Sequence, residues 1–132
     1  MAERPWIAQN RQSLPLLHPV LCLTYVQNTG AAFGLLRGQQ MLFVVLSLAI
    51  SGWIMRELAT RPPRNPPVAW GLALILGGAA GNLIDRVRFG YVLDFIDVRV
   101  WPVFNLADSA ITIGVGLLVL QTMRAPRGPG TR

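Results

Sequence analysis

The sequence predicts an α-helical integral membrane protein with three transmembrane helices and a small extended, β element at the outer membrane face. Three observations predict it. Of 132 residues, 52% are hydrophobic and only 14% are charged, whereas a soluble domain of this size carries about a quarter charged residues. Three long runs contain no charge at all, each close to the length that crosses a bilayer. The arginines of the segments between and after these runs are unevenly divided, as they are when charge sets topology. The mean hydropathy of +0.44 points the same way.

In chain order, residues 1–19 form a polar, extended N-terminal segment. Residues 1–13 have no apolar core behind a basic start, so the sequence carries no signal peptide pattern there. Val20 to Val26 is β-branched and apolar but too short to cross, and it ends at Gln27-Asn28-Thr29-Gly30, which reads as a turn. The first span is assigned to 39–57, because the 18 residues between Arg37 and Arg56 are uncharged. The second is assigned to 68–86: Val68 to Ile84 is a charge-free run of 17 residues, about 25 Å of helix at 1.5 Å per residue. The third, 105–123, contains the uncharged run from Ser109 to Met123 and begins one turn earlier at Asn105. Between the last two spans, Tyr91 to Val100 alternates weakly and is closed by Trp101-Pro102, which suggests a second extended piece able to pair with the first. Residues 124–132 read as a disordered tail. Three such runs buried inside a soluble protein would leave too little polar surface to cover them. The whole chain is one membrane-embedded domain.

Net charge is +6, every cation is Arg, and the arginines are not interleaved with aromatics, so topology explains the basic balance better than nucleic acid does. The 56–67 connection carries Arg56, Arg61 and Arg64 against Glu57 and is broken by four prolines; the tail carries Arg124, Arg127 and Arg132. Both are expected in the cytoplasm. The segment before the first span and the 85–108 connection, with four Asp and three Arg, then lie together on the outer side. Cys22 is the single cysteine, which excludes an internal disulfide and a cysteine metal cage. Leu21 and Pro19 beside it do not fit a lipidation site, so it reads as an apolar residue.

The residues able to do chemistry fall on that outer side. Asp108 follows Asn105 by one helical turn, which is also the pattern of a helix cap. Asp94 is embedded in Val92-Leu93-Asp94-Phe95-Ile96, where the plain alternative is a turn residue facing water. Asn82 and Arg86 are one turn apart at the end of the second span, and Asp85 and Arg86 would also serve as interface anchors. Two carboxylates converging on one membrane face form a catalytic device. At about 3 Å they cannot both ionise, so one acts as base towards a water and the other as acid towards a peptide carbonyl. Neither a metal nor another cofactor is required. A Ser-His-Asp triad would have to be built on His18, the single histidine, with Ser109 or Ser51, and no nucleophile-elbow pattern is present. Ala73, Gly77 and Gly81 recur every four residues, a spacing expected to bring helix backbones together.

Four stretches taken together resemble a known family: Tyr25-Val26-Gln27-Asn28-Thr29-Gly30-Ala31-Ala32-Phe33-Gly34, Gly81-Asn82-Leu83-Ile84-Asp85-Arg86, Val92-Leu93-Asp94-Phe95 and Phe104-Asn105-Leu106-Ala107-Asp108-Ser109-Ala110. They look like the successive signatures of the lipoprotein signal peptidases (signal peptidase II), in the family's order and spacing. The resemblance covers the chain from about Trp6 to about Met123. It implies an intramembrane aspartic endopeptidase of the bacterial cytoplasmic (inner) membrane, multi-pass, with its active site at the outer face. The implied substrate is a prolipoprotein whose cysteine bears diacylglyceryl, cut just before that cysteine. It implies that Asp94 and Asp108 are the catalytic pair and that Asn28, Gly30, Asn82, Arg86 and Asn105 bind substrate or support the dyad, with Asp85 supporting the fold. The implied partners are these substrates and membrane lipid, with no nucleic acid, for a monomeric enzyme. The family's first of four spans has no counterpart here, since Trp6-Ile7-Ala8-Gln9-Asn10 looks like the residues just after it. Two explanations follow: a start set too late, favoured by the intact motifs downstream, or an inactive truncated relative that binds signal sequences. A small channel subunit that attracts cations with its outer carboxylates is a third class of function, and it gives no reason for the paired Asn and Arg.

Overall fold

In the computed structural model, residues 13–17, 20–28 and 38–125 are described. The elements run β1 (Ser13–Leu17), β2 (Leu21–Asn28), α1 (Gln40–Thr60), α2 (Pro66–Phe89), β3 (Val92–Asp97) and α3 (Leu106–Arg124). The three helices, of 21, 24 and 19 residues with mean hydropathies of 1.7, 1.6 and 1.6, are long and apolar enough to cross a membrane. Each is slightly longer than its charge-free run. Helix α2 starts two residues earlier than the sequence suggests, because Pro66 and Pro67 occupy the first turn, where no N–H is needed. It runs on to Phe89 and stops at Gly90, whose φ of +76° suits glycine and whose N–H closes onto Arg86 O. Arg86 and Arg88 in that last turn face the negative end of the helix dipole. Arg124 ends α3, and 126–132, most of the expected disordered tail, lies outside the described residues, as do 1–12.

The apolar residues of the helices largely face outward. Met41, Val45, Leu48, Trp53, Ile113, Val119 and Met123 are all exposed, the inverse of a soluble bundle and the arrangement expected where lipid is the solvent. Packing inside the bundle depends on small residues. Helices α2 and α3 approach backbone to backbone at Gly71, Gly78 and Gly114. A Cβ added at Gly78 would lie 2.5 Å from Ala107 O, and one at Gly114 would lie 2.6 Å from Gly71 O. This corrects the interface expected from Ala73, Gly77 and Gly81. Ala73 and Gly77 are exposed, a Cβ at Gly77 would meet nothing within 4 Å, and only Gly81 grazes Ala107. The seam runs through positions seven apart, 71 and 78, a longer repeat that keeps one face of the helix on its neighbour over two turns.

Side-chain bonds tie the bundle at both ends. At one end Asn65, just before α2, donates to Gln121 of α3 at 2.9 Å. At the other, Arg86 of α2 donates to Gln40 of α1 at 3.1 Å, and Asn82 of α2 donates to Asp108 of α3 at 3.0 Å. This second end carries the sheet, an antiparallel β1-β2-β3 arrangement. The two extended pieces expected on either side of the helices do pair, with Val26 opposite Asp94 and Asn28 opposite Val92. Strand β2 runs through Gln27 and Asn28, which the sequence suggests as a turn, because both keep their partners on β3. Cys22 and Thr24, alternate residues of β2, both point inward, and the register with β3 shifts between Leu23 and Val26. Phe104 closes the outer edge of β3 by exchanging backbone bonds with Ile96.

Candidate active site

The site forms where β3, the end of α2 and the start of α3 meet. Residues Ala107 and Asp108 open α3 directly above Gly78, so the close glycine contact brings Asn82, one turn beyond Gly78, within reach of Asp108. Asn105 caps α3: its Oδ1 accepts from Asp108 N at 2.9 Å, and its own N–H points back to Asp108 Oδ2 at 3.4 Å. The capping box is therefore real. It also aims the Asn105 amide group away from the helix, where Nδ2 donates to Asp94 Oδ1 at 3.0 Å and to Asn82 Oδ1 at 3.1 Å. Asn28 completes the set from β2, donating to Asp94 Oδ2 at 2.9 Å.

Asp94 and Asp108 thus belong to one hydrogen-bonded cluster, and the bonds that join them pass through Asn82 and Asn105. Each oxygen of Asp94 receives one amide proton, which leaves each a lone pair for a further donor. The carboxylates differ in setting. Asp94 is 2% exposed, and burial, with the nearby charge of Asp108, pushes its carboxyl up to about 7, against the opposing pull of Asn28, Asn105 and Arg86. Asp108 is half-buried, on the open side of the cluster.

The remaining expected site residues separate into two groups. Asp85 does not join the cluster; its Oδ2 accepts from Leu93 N at 3.4 Å, so it holds β3 one residue before Asp94. Arg86 is turned towards α1, with its guanidinium 4.5 Å above the ring of Phe43 and bonded to Gln40, and its charge is felt at Asp94. Gly30 and His18 lie outside the described residues. Sequence reasoning did not single out Gln40 and Phe43, or the second buried cluster of Asp97, Thr24, Arg99 and Cys22. In that cluster Asp97 is fully buried and accepts from Thr24 at 3.0 Å and from Arg99 N at 2.9 Å. Arg99 takes a φ of +68° to reach it and sets Nη2 3.0 Å from Cys22 Sγ. The one available signal was that Asp97 shares the apolar stretch of Asp94. Among the described residues, no three His, Cys, Asp or Glu side chains are grouped to hold a metal ion.

Residues 2–124 match the sequence model of the family described as Signal peptidase (SPase) II. The chain belongs to the signal peptidase II family. It is 50% identical over 115 residues to the lipoprotein signal peptidase of Moorella thermoacetica, covering 87% of this chain and 77% of that one. A similar likeness, 42% over 133 residues, relates it to the lipoprotein signal peptidase of Syntrophus aciditrophicus, covering 94% and 81%. A bacterial membrane enzyme solved by the in meso method superposes with a TM-score of 0.82 at 30% identity, over 90% of this chain and 78% of that one. A second such structure gives 0.77 at 33% identity, over 86% and 76%. Membership in the signal peptidase II family makes the chain a peptidase, and the three membrane-length helices among the described residues make it a multi-pass membrane protein.

Proposed function

We propose that the chain is an aspartic endopeptidase of the bacterial cytoplasmic membrane that removes signal peptides from prolipoproteins, cutting before a diacylglyceryl-bearing cysteine at the outer face. The relatives named above are lipoprotein signal peptidases, which supports the substrate. The observation that carries the aspartic chemistry is the single cluster in which Asn105 binds Asp94 and caps the helix turn that holds Asp108, with Asn82 bonded to both Asn105 and Asp108. The sidedness follows from the arginine-rich 56–67 connection at the far end of the bundle.

The difference in burial divides the labour. Asp94, holding its proton to about pH 7, is the acid, and the base is Asp108. A water bound between them loses a proton to Asp108 as its oxygen adds to the scissile carbonyl carbon, while Asp94 protonates the carbonyl oxygen. Collapse of the resulting diol returns that proton to Asp94. The C–N bond breaks as Asp108 passes its proton to the departing amine, and both carboxyls regain their starting states. The asparagines keep the carboxyls in register without taking up a proton. The cluster is assembled from side chains of one chain, so the proposed chemistry calls for no residue from a second copy.

The test is cleavage by the lipid-reconstituted chain of a diacylglyceryl-modified prolipoprotein and of its unlipidated precursor, read by gel mobility. The lipidated substrate should be cut and the unlipidated one spared. Retained cleavage by Asp94→Asn or Asp108→Asn overturns the aspartic mechanism, and binding without cleavage by the unaltered protein supports an inactive relative instead.

A further inference from the structure

Arg86 is held from α1, a helix that carries no member of the asparagine network. Gln40 and Phe43 are three residues apart at the start of α1 and share a helix face. Gln40 Oε1 accepts from Arg86 Nη1 at 3.1 Å, and the Phe43 ring lies 4.5 Å from Arg86 Cζ. The hydrogen bond fixes a direction within the guanidinium plane and the ring contact fixes the plane itself. An arginine side chain has several rotatable bonds, and neither contact alone would hold its charge in one place. The charge matters because it sits one helical turn beyond Asn82, whose amide bonds Asp108 at 3.0 Å, and it is felt at Asp94, where it opposes the protonation that burial favours.

We propose that Gln40 and Phe43 are positioning residues for the peptidase reaction: by clamping the Arg86 guanidinium one helical turn beyond Asn82 they fix the charge felt at Asp94 and with it the alkaline limit of activity. This rests on the aspartic peptidase reading. Among the described residues, the carboxylates felt at Arg86 are Asp108 of α3 and Asp94 of β3, and Asp85 precedes it on its own helix. Helix α1 brings no charge before Arg56, at its other end. The titratable groups of β2 are engaged elsewhere, Cys22 by Arg99 and Tyr25 by Tyr91 and Gln27. A cation that drifts away from a carboxylate lets it keep its proton to higher pH, so loosening the clamp moves the alkaline limit of activity upward.

The experiment compares the pH–rate profile of lipoprotein cleavage for the unaltered chain, Gln40→Leu, Phe43→Leu and Phe43→Tyr, with Asp94→Asn and Asp108→Asn as controls. The two leucine variants should shift the alkaline limb up by about half a pH unit or more and lower kcat about tenfold with a smaller change in KM. Phe43→Tyr keeps the ring face and should keep the original limb. Profiles and kcat values for both leucine variants that match the unaltered chain overturn the clamp while the dead Asp controls leave the peptidase reading intact. An unaltered chain without cleavage overturns both. If Phe43→Leu fails to fold by circular dichroism, Gln40→Leu, an apolar change at the first helical residue, decides alone.

Discussion

Replacing Asp94 by Asn should abolish cleavage and yet make the protein relatively more stable as pH rises. The unfolded chain releases the Asp94 proton above about pH 3.8, while the folded chain keeps it to about pH 7. Between those values the folded form binds more protons, so the stability that Asp94 contributes is fully present below pH 3.8 and is lost as pH climbs through 7. At about 1.4 kcal/mol for each pH interval, the loss amounts to about 4 kcal/mol by neutral pH. An asparagine does not titrate and escapes it. The substitution also sets an amide donor against Asn28 or Asn105. Asn105 cannot turn, because its oxygen caps Asp108 N, so Asn28 must give way; that penalty of about 1–3 kcal/mol for an unmade buried bond does not depend on pH. It cancels when the stability difference between variant and unaltered protein is itself compared at pH 4 and pH 8. Reversible unfolding in mixed micelles measures this, and the comparison should shift towards the variant by about 2–4 kcal/mol. An identical difference at the two pH values would refute the buried, proton-holding Asp94.

Two further predictions follow from the packing and the cap. Gly78→Ala places a methyl group 2.5 Å from Ala107 O, so it should destabilise the bundle by about 1–3 kcal/mol and slow cleavage by parting Asn82 from Asp108; Gly77→Ala, which meets nothing, should leave both unfolding and cleavage unchanged or slightly stabilise the helix. Asn105→Ala should lose about 1–2 kcal/mol of stability with the cap and most activity with the link to Asp94, whereas Asn105→Ser restores a capping oxygen, and with it the unfolding midpoint, without restoring cleavage.

The sequence made the helices legible because charge cannot be scattered through a span, and the runs between Arg37 and Arg56 and from Val68 to Ile84 stand out for that reason alone. The two longer strands were legible from Val20–Val26 and Tyr91–Val100, though not where β2 ends, since Gln27 and Asn28 have turn chemistry and are kept extended by β3. Strand β1 falls in the segment read as polar and extended, but Pro15 in Ser13–Leu17 breaks the pattern that would have marked a paired strand. The helix seam was misplaced because the four-residue repeat of Ala73, Gly77 and Gly81 is locally regular, while the true contact depends on the facing backbone at Ala107 and Gly114. Asn105 and Asp108 were readable as a cap and as candidate site residues; the structure has the cap, and the same two residues bond Asp94 and Asn82. Gln40 was not readable, because a polar residue opening a span carries no sign of a partner on another helix, 46 positions away.

Cleavage by the proposed chemistry requires Asp94 and Asp108 to act as one unit. Single-turnover cleavage rates for Asp94→Asn, Asp108→Asn and the double variant, against the same lipidated prolipoprotein, test this most directly. Each single change should slow the reaction by on the order of a thousandfold or more, and the double variant should be no slower than the worse single. Losses that multiply in the double variant, or a single variant that keeps most of its rate, would contradict it.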